Sequence, residues 1–145
     1  MQRYLESFIS EDLKTKIVLL SGPRQVGKTT LSKQLDLPYS YLNFDASQDR
    51  KILSLKEWDR DKRLVIFDEL HKMKNWKSWL KGVYDKEGVS PALLVTGSAR
   101  MDTFKKGGES LAGRHFYYRL HPIDVKEAAS FMNSRDALNM IMKTG

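Results

Sequence analysis

The stretch IVLLSGPRQVGKTT, residues 17–30, constrains this chain more than any other. A continuous apolar run suited to a strand buried on both faces leads straight into a glycine-containing loop. A helical spacing through Leu31 and Leu35 follows the loop. The loop fits G-x-x-x-x-G-K-[ST] as Gly22, Gly27, Lys28 and Thr29. A backbone wrapped closely round a polyphosphate needs glycine where the chain turns and where a side chain would block the anion. The amides at the start of the following helix add positive potential. Gly22, Pro23, Arg24, Gln25, Val26, Gly27, Lys28, Thr29 and Thr30 are therefore the expected phosphate-binding loop. Lys28 should reach the β and γ phosphates of a bound nucleotide, and the Thr29 hydroxyl should bind Mg²⁺.

Four more β-like runs follow: YSYLNF at 39–44, RLVIFD at 63–68, ALLVTGS at 92–98 and HFYYRL at 115–120. Helix-length segments separate the first of these, as in βαβ units. Helical spacing covers Lys28 to Leu35 and Lys72 to Tyr84, the latter with Trp76, Leu80 and Val83 on one side. Further helices are expected over 123–132, with Asp124 and Glu127 as a capping box, and over 136–142. Residues 105–108 read as a mobile loop. The expected fold class is α/β, a three-layer domain with a five-stranded, mainly parallel sheet, and residues 1–145 form one domain.

The third run ends in two adjacent acids, Asp68 and Glu69. In a parallel sheet, ligands lie at the carboxyl ends of the strands, where the phosphate loop also emerges. Asp68 is placed to hold Mg²⁺ beside Thr29. Glu69, pointing elsewhere, is placed to act on the water that attacks the γ-phosphate; the alternative is an acid favoured at a helix start. Thr96 and Ser98 leave the fourth strand beside these acids and could contact phosphate or water, or serve only the turn. Arg114, just before the fifth strand, could stabilise developing phosphate charge in its own site or a neighbour's; the alternative is a structural pair with a carboxylate.

Several function classes drop out. No apolar run approaches the roughly 20 residues of a membrane span, so no membrane partner is expected. Cysteine is absent and the three histidines are scattered, which argues against disulfides and zinc. The segment MQRYLESFIS carries acids and no signal-like apolar core, so a cytoplasmic setting is expected. The GTP-reading pattern N-K-x-D does not occur, which favours ATP. Net charge is +7, and residues 50–86 hold 11 Lys/Arg against 6 Asp/Glu. That surface could attract a nucleic acid or an acidic protein. Trp76 and Trp79 among the lysines of 72–81 could stack on bases, but the spacing of Trp76 and Leu80 fits a buried stripe better.

Taken together, GPRQVGKTTL, VIFDELHKMKNWKSWLKGVYD, LLVTGSAR and SLAGRHFYYRLHPID resemble the bacterial and archaeal AAA+-type P-loop ATPases, over about residues 13–130. The resemblance implies a RecA/AAA+-like sheet and ATP with Mg²⁺; the phosphate loop together with Asp68–Glu69 leads to the first functional expectation, an ATPase core coupling hydrolysis to a conformational switch. The resemblance implies the usual roles for Lys28, Thr29, Asp68 and Glu69, a sensor at Thr96 or Ser98 and an arginine finger at Arg114; a homo-oligomer is a separate candidate partner that the sequence itself does not specify. In that family the ATPase domain is usually followed by a second domain. This chain stops soon after the fifth strand, so the helical lid and that second domain are expected to be missing. Two other functions fit the motifs: a P-loop kinase for a small molecule, and a nucleotide-binding or interaction module without turnover.

Overall fold

A computed structural model describes residues 5–23, 27–98, 101 and 111–120. Its elements run α1 (Glu6–Asp12), β1 (Ile17–Ser21), α2 (Lys28–Lys33), β2 (Tyr39–Asn43), α3 (Ser47–Leu55), β3 (Leu64–Asp68), a 3₁₀ turn (Leu70–Lys72), α4 (Trp76–Glu87), β4 (Ala92–Gly97) and β5 (His115–Arg119). The five strands form one sheet in the order β2-β3-β4-β1-β5. Every pairing is parallel, so the mainly parallel sheet expected from sequence is parallel throughout among the described residues.

The sheet is the middle of three layers, and strand alternation assigns each side. Ile17, Leu19, Val65, Phe67, Leu93 and Val95 share one core with Leu53 of α3 and Trp76, Leu80 and Val83 of α4. Val18, Leu20, Leu64, Ile66, Ala92 and Leu94 share the other with Ile9 and Leu31, from α1 and α2. The three central strands, β1, β3 and β4, are buried at every position. This is why they read as unbroken apolar runs and not as alternating ones.

Two helices lay outside the sequence reading. In α1, Leu5, Ile9 and Leu13 recur every fourth residue and are buried, a single stripe next to the chain start. Only Leu53 of α3 is fully buried, while its neighbour Leu55 is exposed. So thin a stripe is hard to see in sequence. The expected helix over 72–84 divides: a 3₁₀ turn comes first, Asn75 takes a left-handed conformation at φ 59°, and α4 runs from Trp76 to Glu87. Trp76 is buried at 8% exposure. Trp79 packs edge-on against Trp58 and Phe67, with ring centres 5.9 and 5.5 Å apart. Both tryptophans thus serve the core, where edge-to-face rings add to area burial, and not a base-stacking surface. The loop at 105–108 and the helices expected over 123–142 lie outside the described residues.

Candidate active site

β1, β3 and β4 deliver their carboxyl ends side by side. The register sets Asp68 opposite Thr96 on β4 and opposite Asn43 on β2. The phosphate loop leaves β1, the next strand along, so the topology alone brings the two motifs together. Gly27 caps α2 at φ 94°, a left-handed angle open to glycine. Arg24, Gln25 and Val26 lie outside the described residues.

Lys28 is buried, at 8% exposure, and its ammonium donates to the carbonyls of Gly22 and Pro23, each at 2.8 Å. The side chain thus folds back across the loop. Burial pulls its pKa below the ordinary lysine value, while the charges of Glu69 and Asp68 pull it upward. Thr29 lies one residue on, its hydroxyl 3.4 Å from Asp68 Oδ2. Thr30 follows in the first turn of α2.

Asp68 is also buried, at 8%. Its Oδ1 accepts from the Thr96 hydroxyl at 2.8 Å; its Oδ2 accepts from Thr29 and from the Tyr41 hydroxyl. Burying a carboxylate is costly unless its oxygens are satisfied, and three hydroxyls do so here. Burial, then the hydrogen bond to Asp68, raises the Tyr41 hydroxyl well above the usual phenol value.

Glu69 diverges sharply from its neighbour. It sits at φ 60°, its amide donating to the Thr96 carbonyl at 2.8 Å. It precedes the 3₁₀ turn, yet its side chain makes no capping hydrogen bond. The carboxylate instead lies 3.6 Å from His71 Nε2 and 3.4 Å from Lys72 Nζ. Lys72 is held in turn by both oxygens of Asp45 at 2.8 Å. The Ser98 hydroxyl is 3.4 Å from His71 Nε2, so Ser98 and Glu69 meet on one imidazole. Gly97 makes room for that ring: a Cβ there would sit 2.5 Å from His71 Nδ1 and 2.4 Å from Met101 Sδ.

Arg114 is the exception among the sequence-derived residues. Its carbonyl accepts from the Ile17 amide, at the start of β1, so it lies at the amino end of the sheet. A five-residue strand puts it roughly 16 Å from the phosphate loop. There its guanidinium pairs with Asp85 of α4 at 2.8 Å. The cations of 50–86 are likewise dispersed. Arg60 pairs with Glu87 at 2.7 Å, Lys72 lies beside Glu69, and Lys77 and Lys81 ride on α4.

Tyr41, His71 and Asn43 were missed by sequence reasoning. One signal was available: Tyr39, Tyr41 and Asn43 alternate along β2, so Tyr41 shares a face with the residue opposite Asp68. His71 left no comparable trace, because its place depends on the left-handed turn at Glu69.

A strand–phosphate loop–helix unit with a carboxylate on a nearby parallel strand defines a P-loop nucleotide-binding domain. More narrowly, a family model described as an AAA domain matches residues 14–129, and the chain belongs to that family, an AAA+-type P-loop core of the ATPase class. An uncharacterized protein of Mycobacterium tuberculosis is 30% identical over 121 residues, covering 81% of this chain and 27% of the relative. An uncharacterized protein of Methanocaldococcus jannaschii is 24% identical over 134 residues, covering 83% and 30%. The chain therefore spans less than a third of the length of these curated relatives. Thermotoga maritima RuvB superposes with a TM-score of 0.57 at 21% identity, covering 96% of this chain and 51% of RuvB. C. elegans PCH-2 gives a TM-score of 0.52 at 14% identity, covering 87% and 43%. Both likenesses concern the fold.

Among the described residues no helix is long and apolar enough to cross a membrane.

Proposed function

We propose that this domain binds Mg-ATP and hydrolyses it to ADP and phosphate, and that the cycle drives a conformational switch. The observation that carries the reading is the convergence of Lys28, Thr29 and Asp68 at the carboxyl ends of β1 and β3, with Glu69 beside them. Lys28 exchanges the Gly22 and Pro23 carbonyls for β- and γ-phosphate oxygens. Its buried charge then has a stronger partner than two neutral carbonyls.

The donors near Thr29 suit magnesium. They are a hydroxyl and a carboxylate, all oxygen, and magnesium is usually held by one or two carboxylates together with substrate phosphates. Thr29 and Asp68 would hold the ion, which when bound neutralises charge on the phosphates.

Glu69 takes the other half of the chemistry. It leaves the buried row that holds Asp68 and turns toward His71, Lys72 and Ser98. There it can accept a hydrogen bond from water and orient its lone pair at the γ-phosphorus. Attack forms the new P–O bond as the bond to the β–γ bridging oxygen breaks; the water proton passes to the carboxylate or to phosphate. Ser98, sharing His71 with Glu69, is the better-placed phosphate sensor, while Thr96 steadies Asp68. Arg114, half-buried beside Asp85 at the far end of the sheet, would act only in the site of a neighbouring copy. An ATP-driven oligomer is thus part of the reading.

Calorimetry with Mg-ATP followed by a phosphate-release assay tests it. Glu69→Gln is expected to keep the affinity and to lose release by about 10²-fold or more. Equal release in wild type and variant would remove Glu69 from the mechanism.

A further inference from the structure

Tyr41 has no role in the phosphate loop or the acidic pair, yet its hydroxyl reaches the centre of the site. β2 is the edge strand beyond β3. Tyr41 pairs with Ile66, two residues before Asp68, and its long side chain spans the gap to donate to Asp68 Oδ2. Asn43 Nδ2 lies 3.5 Å from the same phenol oxygen, and the Lys33 ammonium sits 4.3 Å from the ring centre. Tyr41 therefore ties three pieces together: the edge strand, the end of the α2 helix that follows the phosphate loop, and the carboxylate at the end of β3.

We propose that Tyr41 is a positioning residue for the magnesium half of the site, fixing which way the Asp68 carboxylate faces Thr29. The proposal rests on the Mg-ATP reading above. The physical reason lies in the two oxygens of Asp68. Oδ1 is held by Thr96 on one neighbouring strand, and Oδ2 by Tyr41 on the other. A carboxylate anchored from both sides cannot rotate about its Cβ–Cγ bond, so the lone pair of Oδ2 beside the Thr29 hydroxyl keeps a fixed direction. Remove the Tyr41 hydroxyl and one anchor is lost while the charge remains. Outer-shell hydrogen bonds of this kind typically contribute 10–100-fold in metal affinity. A purely packing role predicts otherwise. The ring, with its Lys33 contact and its place beside the core, would do all the work, and the hydroxyl would be dispensable.

Tyr41→Phe separates the two, since it deletes one oxygen and leaves the ring. Nucleotide binding is measured by calorimetry twice, with ADP in excess EDTA and with ADP across a Mg²⁺ titration; thermal melting checks the fold. The expected result is a metal-free ADP affinity within about twofold of wild type, with the gain conferred by Mg²⁺ reduced roughly 10–100-fold. An undiminished Mg²⁺ gain in Tyr41→Phe overturns the proposal, as does an equal loss with and without the metal. Should Tyr41→Phe melt well below wild type, Thr96→Ser provides the second arm. It keeps the Oδ1 anchor and must retain the Mg²⁺ gain; losing it as fully as Thr96→Val does would show that anchoring by hydroxyl is not the cause. Wild-type protein that binds no nucleotide at all would instead refute the parent reading, a result distinct from a normal wild type with an unaffected variant.

Discussion

At the carboxyl ends of the strands Lys28, Asp68 and Thr96 are buried, Lys28 bonded to loop carbonyls and Thr96 to Asp68, whereas at the amino ends Arg60 and Lys14 are exposed, Arg114 is half-buried, and all three form ion pairs. The same strands build both ends. A hollow of about 370 Å³ even lies at the amino end, between Leu13, Leu37 and Arg63, so concavity alone does not mark the site. The distinction lies in what the charges cost. Exposed pairs such as Lys14–Glu11, about 70% accessible on each side, are screened and contribute little. A buried lysine and a buried aspartate are kept only where their partners, or a ligand, offset the lost hydration.

Four changes sharpen or break this contrast. Lys28→Ala should have the largest effect. A charge-assisted hydrogen bond contributes about 1.5–3 kcal/mol, and losing two to phosphate should weaken Mg-ATP binding by about 10²-fold or more, read by calorimetry. Retained affinity would mean that the loop backbone alone grips the nucleotide.

Thr96→Val comes next. It leaves Asp68 Oδ1 without its donor in a buried setting, which should cost about 1–3 kcal/mol in urea unfolding. An unchanged midpoint would show that water reaches Asp68 and that this end is less dry than its exposure suggests.

Tyr118→Phe probes the edge strand. Burial, with the hydrogen bond to Asp12, pushes the Tyr118 hydroxyl from 10.0 up to about 12. A raised value favours the protonated folded form. The associated stability is fully present below pH 10 and is lost as pH rises toward 12. Melting curves across that window should fall less steeply in the variant; identical slopes would break the link between β5 and α1.

The smallest effect on stability belongs to Arg114→Gln. The Arg114 hydrogen bond holds the Asp85 carboxyl below its ordinary 3.8. That contribution is present above the ordinary value and disappears as pH falls through the depressed one. Because the pair is partly exposed, the melting midpoint should move by no more than a few degrees, while the Asp85 titration seen by NMR should return toward 3.8. If Arg114 serves a neighbour's site, phosphate release per chain should rise with protein concentration in the wild type and stay flat in the variant.

The central strands, the phosphate loop and the acidic pair were legible because each is local. IVLLS, LVIF and ALLV need no partner to be recognised as doubly buried, and Gly22 to Thr29 is a spacing set by the size of a phosphate. The thinner helices were not legible, since α3 commits one fully buried residue to the core and α1 borders the chain start. Nor was the separation of Arg114 from Lys28, which depends on strand direction: a residue before a parallel strand and a loop after one must lie at opposite ends of the sheet.

The sequence by itself determined that a polyphosphate-gripping loop follows a buried strand and that two acids end another, because these are relations between neighbours along the chain. Tertiary structure decided which hydroxyls satisfy Asp68, that Glu69 turns to His71, and that Tyr41 reaches across from the edge strand. The hydroxyls on Asp68 and the Ser98–His71 contact join residues 27 or more positions apart, which only the parallel register brings together, while Glu69 meets His71 through one left-handed turn.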